Sequence, residues 1–136
     1  EVPRRPTTAW PETAPPTPLE LQEKAARICC HQDIASDGTF AVAMIAEFEP
    51  VLTQMGPAAY PRLFWECGLI GQILYLEAQA AGFAGTGIGC FFDDMMHQAI
   101  GINDHTHQSL YHFTVGRPKI DKRIKTIPPY HHLGKK

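Results

Sequence analysis

The sequence predicts an α+β domain with an extended arm at each end. Three observations carry that reading. A long segment between Gly56 and Gly82 is apolar on two helical faces, as a central helix would be. Two short stretches, FAVAMIAEF and SLYHFTV, have the length and pattern of strands. Both ends of the chain are punctuated by proline. The boundaries that follow are an arm over 1–18, a folded domain over 19–118 and a basic arm over 119–136.

The first eighteen residues hold six of the twelve prolines, each of which fixes φ and removes a backbone donor. Such a stretch forms neither a regular helix nor a central strand, and Trp10 is its one large apolar residue. We expect the arm to dock through Trp10. Apolar residues at Leu21, Ala25 and Ile28, with Glu early and Arg late, predict a helix from about Leu19 to Cys30. Ser36-Asp37-Gly38 reads as a turn, and the FAVAMIAEF stretch after it as a strand buried on both faces.

A helix is predicted from about Ala58 to Ala81. Leu63, Cys67, Ile70, Leu74 and Ala78 share one face; Trp65, Leu69, Ile73 and Leu76 share another. Two apolar faces predict the most buried element of the fold, with Gly82 as its stop. Gly68 and Gly71 inside it each cost about 1 kcal/mol against Ala, so something is expected to pack closely there. A glycine-rich loop then runs from Gly82 to Asp94 and leads into a short helix capped by Asp93 and stopped by Gly101. In the SLYHFTV strand, Tyr111, Phe113 and Val115 face one way, and Leu110, His112 and Thr114 the other. The remainder, rich in Lys and Pro, is an arm.

Composition excludes several classes. The 136 residues are 44% apolar and 19% charged, which is ordinary for a folded protein. Twelve Lys+Arg against fourteen Asp+Glu leave a net charge of -2, which argues against nucleic acid as a partner. The longest apolar run, Phe40 to Ala46, is far short of the roughly 20 residues of a membrane span. No signal peptide opens the chain, and the absence of an initiating Met is expected of a cleaved, trimmed or partial chain. The four cysteines show no CxxC spacing, and Cys67 and Cys90 stand isolated, so all four read as buried, inert thiols acting as small hydrophobes in a reducing, cytoplasmic compartment.

Chemistry-bearing patterns are few. Gly85, Gly87 and Gly89 are spaced GxGxG, but the loop follows a helix and lacks the final glycine, which excludes a dinucleotide turn. It leaves a backbone that a flat ligand approaches closely. There is no phosphate-binding GxxxxGK[ST], no HExxH and no GxSxG. His105 and His107 bracket Thr106 within reach of one cation, yet no carboxylate stands at a recognised spacing, and no metal site is assigned. A Cys90–His97 pair is the one thiol–imidazole candidate, and no catalytic residue is assigned from it. Lys119, Lys122, Arg123 and Lys125 form a basic tail able to hold a phosphate.

Taken in order, GLIGQILYLEAQAAGF, TGIGCFFDD and SLYHFTVGRP resemble the C-terminal half of the nitroreductase-like flavoproteins, and most nearly the SagB-type oxidases. Gly68, Gly71, Gln72, Leu76 and Ala78 meet the pattern of that family's long helix. Gly87 to Asp94 loosely match its P-I-G-G-F-D-like loop, and Val115, Gly116 and Pro118 its V-G-x-P strand end. The resemblance implies a nitroreductase-like fold, a buried helix against a mixed or antiparallel sheet. It implies an FMN-dependent oxidoreductase with a ping-pong cycle of hydride or electron transfer, acting on a small molecule or peptide. The flavin would lie at a subunit interface beside Gly87, Ile88, Gly89 and Cys90, with the Gly89 amide donating to ring N5. Its phosphate would meet Arg123, helped by Lys122 or Lys125. The family's N-terminal half, with its arginine-containing phosphate segment, is not in this sequence, so a second copy or a companion chain is expected to complete the site. The alternative implied is a scaffold subunit that keeps the dimer surface and has lost the flavin.

Overall fold

A computed structural model describes residues 16–134. Helix α1 (Pro18–Ile28) opens with a reciprocal cap: Thr17 Oγ1 accepts from the Glu20 N–H, and the Glu20 carboxylate accepts from the Thr17 N–H at 2.8 Å. It ends two residues short of the expected boundary because Cys30 and His31 turn left-handed, with φ of 54° and 58°. A single-turn helix α2 (Ile34–Asp37) stands where a turn was expected. Strand β1 (Phe40–Glu47), helix α3 (Glu49–Met55), a 3₁₀ turn (Pro57–Ala59) and helix α4 (Tyr60–Ala80) follow. Strand β2 (Ala84–Ile88), helix α5 (Asp93–Ile100) and strand β3 (His107–Gly116) complete the domain. After Gly116 the described chain is irregular apart from a 3₁₀ turn at His131–Leu133. Trp10 and the rest of the first fifteen residues lie outside the described residues.

The three strands form one antiparallel sheet in the order β1-β3-β2. One face carries α4: Leu63 and Cys67 meet Leu110, while Ala78 meets Phe113 and Val115. The other face is covered by α1 and α2, where Cys29 and Ala35 pack on Ile88, and by α5, whose His97 Nε2 accepts from the Ser109 N–H. The α+β reading, a long helix against a small antiparallel sheet, holds. No helix among the described residues is long and apolar enough to cross a membrane.

Four expectations are corrected. The most buried element is β3, where Phe113 is fully enclosed, and not α4, because β3 alone has strands on both sides and helices on both faces. On α4, Leu63 and Cys67 are buried and Leu74 half-buried, but Ile70, Trp65, Leu69, Ile73 and Leu76 are exposed, so its second apolar face is largely uncovered by the described residues. Strand β1, expected to be buried on both faces, is an edge strand exposed over its first residues. Leu110 faces α4 rather than lying with His112. A bulge between Met44 and Ile45, paired with Tyr111 and Ser109, leaves Leu110 as the extra residue and reverses the alternation. Finally, much of the glycine-rich loop is strand β2.

The stop signals hold. At the end of α4, Phe83 N–H donates to Ala78 C=O and Gly82 N–H to Gln79 C=O, with Gly82 left-handed at φ 77°. Gly101 closes α5 in the same conformation. Asp93 is not the cap of α5; it is the first helical residue after Phe92, and its carboxylate accepts from Gln108 at 3.0 Å.

Candidate functional site

The glycines of β2 serve two purposes. A Cβ on Gly85 would stand 2.7 Å from the Phe113 ring, and one on Gly87 would overlap the Tyr111 hydroxyl. These two glycines make room for aromatic side chains of the neighbouring strand. Gly71 of α4 does the same, with Tyr111 Cε1 3.1 Å from its Cβ direction, whereas nothing comes within 4 Å of Gly68. The close packing expected in α4 is therefore at Gly71 alone. Tyr75 of α4 closes the edge of β2: its hydroxyl accepts from the Gly87 N–H at 2.8 Å, and its ring meets Phe113 edge-on.

Past β2 the surroundings change. Ile88 is buried against Cys29 and Ala35, but Gly89 and Cys90 are exposed, and a Cβ on Gly89 would meet nothing within 4 Å. A cleft of ≈ 390 Å³ opens there, lined by Phe48, Tyr60, Phe64 and Phe91 with Asp93 and Gln108. Phe48, Tyr60 and Phe64 form an edge-to-face series along one side, and Asp93, Gln108 and Ser109 make the rest of the lining polar.

Cys90 is not isolated. Its Sγ lies 2.8 Å from Cys30 Sγ, and Gln32 Nε2 donates both to Cys29 C=O at 2.8 Å and to Cys90 C=O at 3.1 Å. The hydrogen bond between the thiols pushes Cys30 up to about 11. The expected partner of Cys90, His97, is instead bonded to the backbone of Ser109. Beneath Cys90, Phe91 stacks on the buried His112 with ring centroids 4.1 Å apart. His112 contacts Ser109 Oγ at 2.9 Å and Cys29 Sγ at 3.5 Å, and burial holds its pKa below the ordinary imidazole value. Burial likewise raises the Cys29 and Cys67 thiols, which fit the inert role expected of them.

The basic tail starts at the other end of the sheet from this cleft. Gly116 pairs with Ala84, so the chain leaves the sheet at the end of β2 remote from Gly89. Arg123 is 90% exposed, and its guanidinium makes a two-pronged bond to Asp121, with Nη2 2.6 Å from Oδ2. Lys122 and Lys125 are exposed. No hydrogen bond or ion pair joins these three to Gly87, Ile88, Gly89 or Cys90 among the described residues. His105 is exposed, and His107 Nδ1 lies 3.0 Å from Thr106 Oγ1; no set of three or more His, Cys, Asp or Glu able to hold a metal occurs among the described residues.

Sequence reasoning did not single out Tyr75, Gln32, Cys30 or the aromatic wall of the cleft. Tyr75 and the wall residues Tyr60 and Phe64 belong to no motif, and a pairing across sixty positions leaves no trace in local spacing.

Comparison with known proteins bears on this geometry. The model of the nitroreductase family matches residues 8–117, so the match begins inside the proline-rich arm. No curated protein matches the chain. Among solved structures, a nitroreductase from Anabaena variabilis is similar at 27% identity and a TM-score of 0.68, over 74% of this chain and 20% of that one. Nitroreductase A from Vibrio parahaemolyticus is similar at 14% identity and a TM-score of 0.63, over 86% of this chain and 52% of its own. B. megaterium NfrA1 is similar at 19% identity and a TM-score of 0.63, over 84% and 51%. The chain thus spans about a fifth to a half of the length of these relatives, and the last two show the fold alone.

Proposed function

The chain belongs to the nitroreductase family, and from that premise we propose that it is an FMN-dependent oxidoreductase of the SagB-type branch, or one subunit or fragment of such an enzyme. The observation that carries the reading is the exposed Gly89–Cys90 backbone at the mouth of an aromatic cleft, with no atom where a Gly89 Cβ would stand. The fit favours Gly89 and Cys90 over Gly87, whose open side is already filled by Tyr111, and over Ile88, which is buried against Cys29 and Ala35. When bound there, FMN supplies hydride and single-electron transfer, which the reading places in a ping-pong cycle with a small molecule or peptide as substrate.

This chain's residues would position and shield. The Gly89 amide would donate to ring N5, and Phe91 and the aromatic wall would keep water from the ring face. Tyr75 holds β2 in register by its bond to Gly87. Arg123, with Lys122 or Lys125, is proposed for the phosphate, by the two-pronged bonding a guanidinium offers. The tail leaves the sheet far from Gly89, so these residues would serve the site of a second copy or a companion chain. Four free thiols support a reducing, cytoplasmic setting.

A second reading, a scaffold subunit without flavin, is favoured by one observation: the Arg123 guanidinium is already occupied by Asp121. Titration of the apo chain with FMN, followed by fluorescence quenching, decides between them. Wild type is expected to bind, Gly89→Val to lose binding while staying folded, and Arg123→Ala to bind more weakly. Equal affinity for all three overturns the site. No binding by wild type, alone or with a co-purified partner, favours the scaffold.

A further inference from the structure

We propose that Cys30 and Cys90 form a dithiol–disulfide couple that exchanges two electrons with a low-molecular-weight disulfide of the glutathione type. The two residues are sixty positions apart, yet their sulfurs lie 2.8 Å from each other. They are held opposite by contacts from both flanks. Phe92 N–H donates to Ile28 C=O at 2.8 Å, Gln32 bridges the carbonyls of Cys29 and Cys90, and the His31 and Phe92 rings meet edge-on.

The backbone confirms that this turn is constrained. Cys30 and His31 are consecutive non-glycine residues in the left-handed region, a conformation that persists only where the surroundings over-determine it. Continuing α1 in its helical course would have relieved both residues. The pair also has access that the other two thiols lack. Cys90 is exposed and Cys30 partly so, while Cys29 and Cys67 are buried. All four are free thiols.

The exchange runs in two displacements. The Cys90 thiolate attacks one sulfur of glutathione disulfide, forming a mixed disulfide and expelling one glutathione thiolate. Cys30 Sγ then attacks Cys90 Sγ and expels the second. One S–S bond is broken and one formed; the cysteine pair is oxidised by two electrons, glutathione disulfide is reduced, and the two thiol protons end on the two glutathiones. The order follows from exposure: Cys90 is the more accessible of the two thiols, while its contact with Cys30 raises the Cys30 thiol to about 11. The new covalent link would tie the end of α1 to the segment that follows Ile88.

The test is to equilibrate the full chain against glutathione buffers of increasing disulfide fraction, trap free thiols by alkylation and map peptides by mass spectrometry. The expected result is the loss of two alkylatable thiols of four, a single linked peptide pair joining Cys30 to Cys90, and no lasting glutathione adduct. Cys30→Ser is expected to convert the product into a stable glutathione adduct on Cys90. A lasting adduct in wild type, a link from Cys90 to Cys29, or four free thiols throughout overturns the proposal. The wild-type map decides even if a variant fails to fold, and no flavin enters the readout, so the result is separable from the flavin assignment.

Discussion

At His112 the protein keeps an imidazole 4% exposed, stacked on Phe91 and touching Ser109 and Cys29. Burial lowers its pKa more than the Asp93 charge raises it. The unfolded chain therefore takes up a proton near pH 6.5 that the folded chain refuses, and stability falls as pH drops from about 6.5 toward the lowered folded value. Urea unfolding at pH 7.5 and 5.5 is expected to show this loss, and His112→Gln to show a smaller pH difference. An unchanged difference would count against a neutral buried imidazole. Two glycines nearby make a sharper contrast. Gly85→Ala sets a Cβ 2.7 Å from the enclosed Phe113 ring and is expected to cost about 1–3 kcal/mol, the usual result of overpacking. Gly89→Ala meets open space and is expected to change stability by less than about 0.5 kcal/mol. Paired denaturant curves check both.

The element that departs most from its apolar pattern is α4. Leu63 and Cys67 are buried against Leu110, but Trp65, Leu69, Ile73 and Leu76 form an exposed stripe at spacings of four, four and three. Leu63→Ala is expected to cost about 2–5 kcal/mol, the range for emptying a core leucine site. Leu69→Ala is expected to cost less than about 0.5 kcal/mol in the isolated chain. A large loss at Leu69 in a dilute sample would mean that the stripe is covered. In β3 the bulge at Leu110 brings that side chain to the α4 face and sends Ser109 to the His112 face. One extra residue thus supplies both an apolar contact to the helix and a hydrogen-bond partner to the buried histidine.

For the whole molecule, the same stripe is proposed as the surface for a second copy or companion chain. Association through it is expected to bury well over about 2,000 Å² in total, as obligate interfaces do. Sedimentation at micromolar concentration is expected to show a dimer or a co-purifying partner, and Leu69→Asp to dissociate it. A clean wild-type monomer would refute the expectation.

The amino-acid sequence alone determined the class of the fold, the long helix, its glycine stop, the central strand and the family. Those features are written in local periodicity and in single residues, such as Gly82 and Gly101, whose left-handed backbone favours glycine. Part of the candidate site was legible too, because Gly89 and Cys90 lie within one short motif. What only the tertiary structure decided was which glycines are spoken for by Tyr111 and Phe113, which face of α4 is covered, and that Cys30 meets Cys90. Apolar periodicity records that a face avoids water but not what covers it. The bulge reverses the strand alternation by one residue without any glycine or proline to mark it. Sulfurs sixty residues apart meet because the end of α1 packs against the segment that follows β2, a relation that depends on the tertiary fold and not on the spacing of residues.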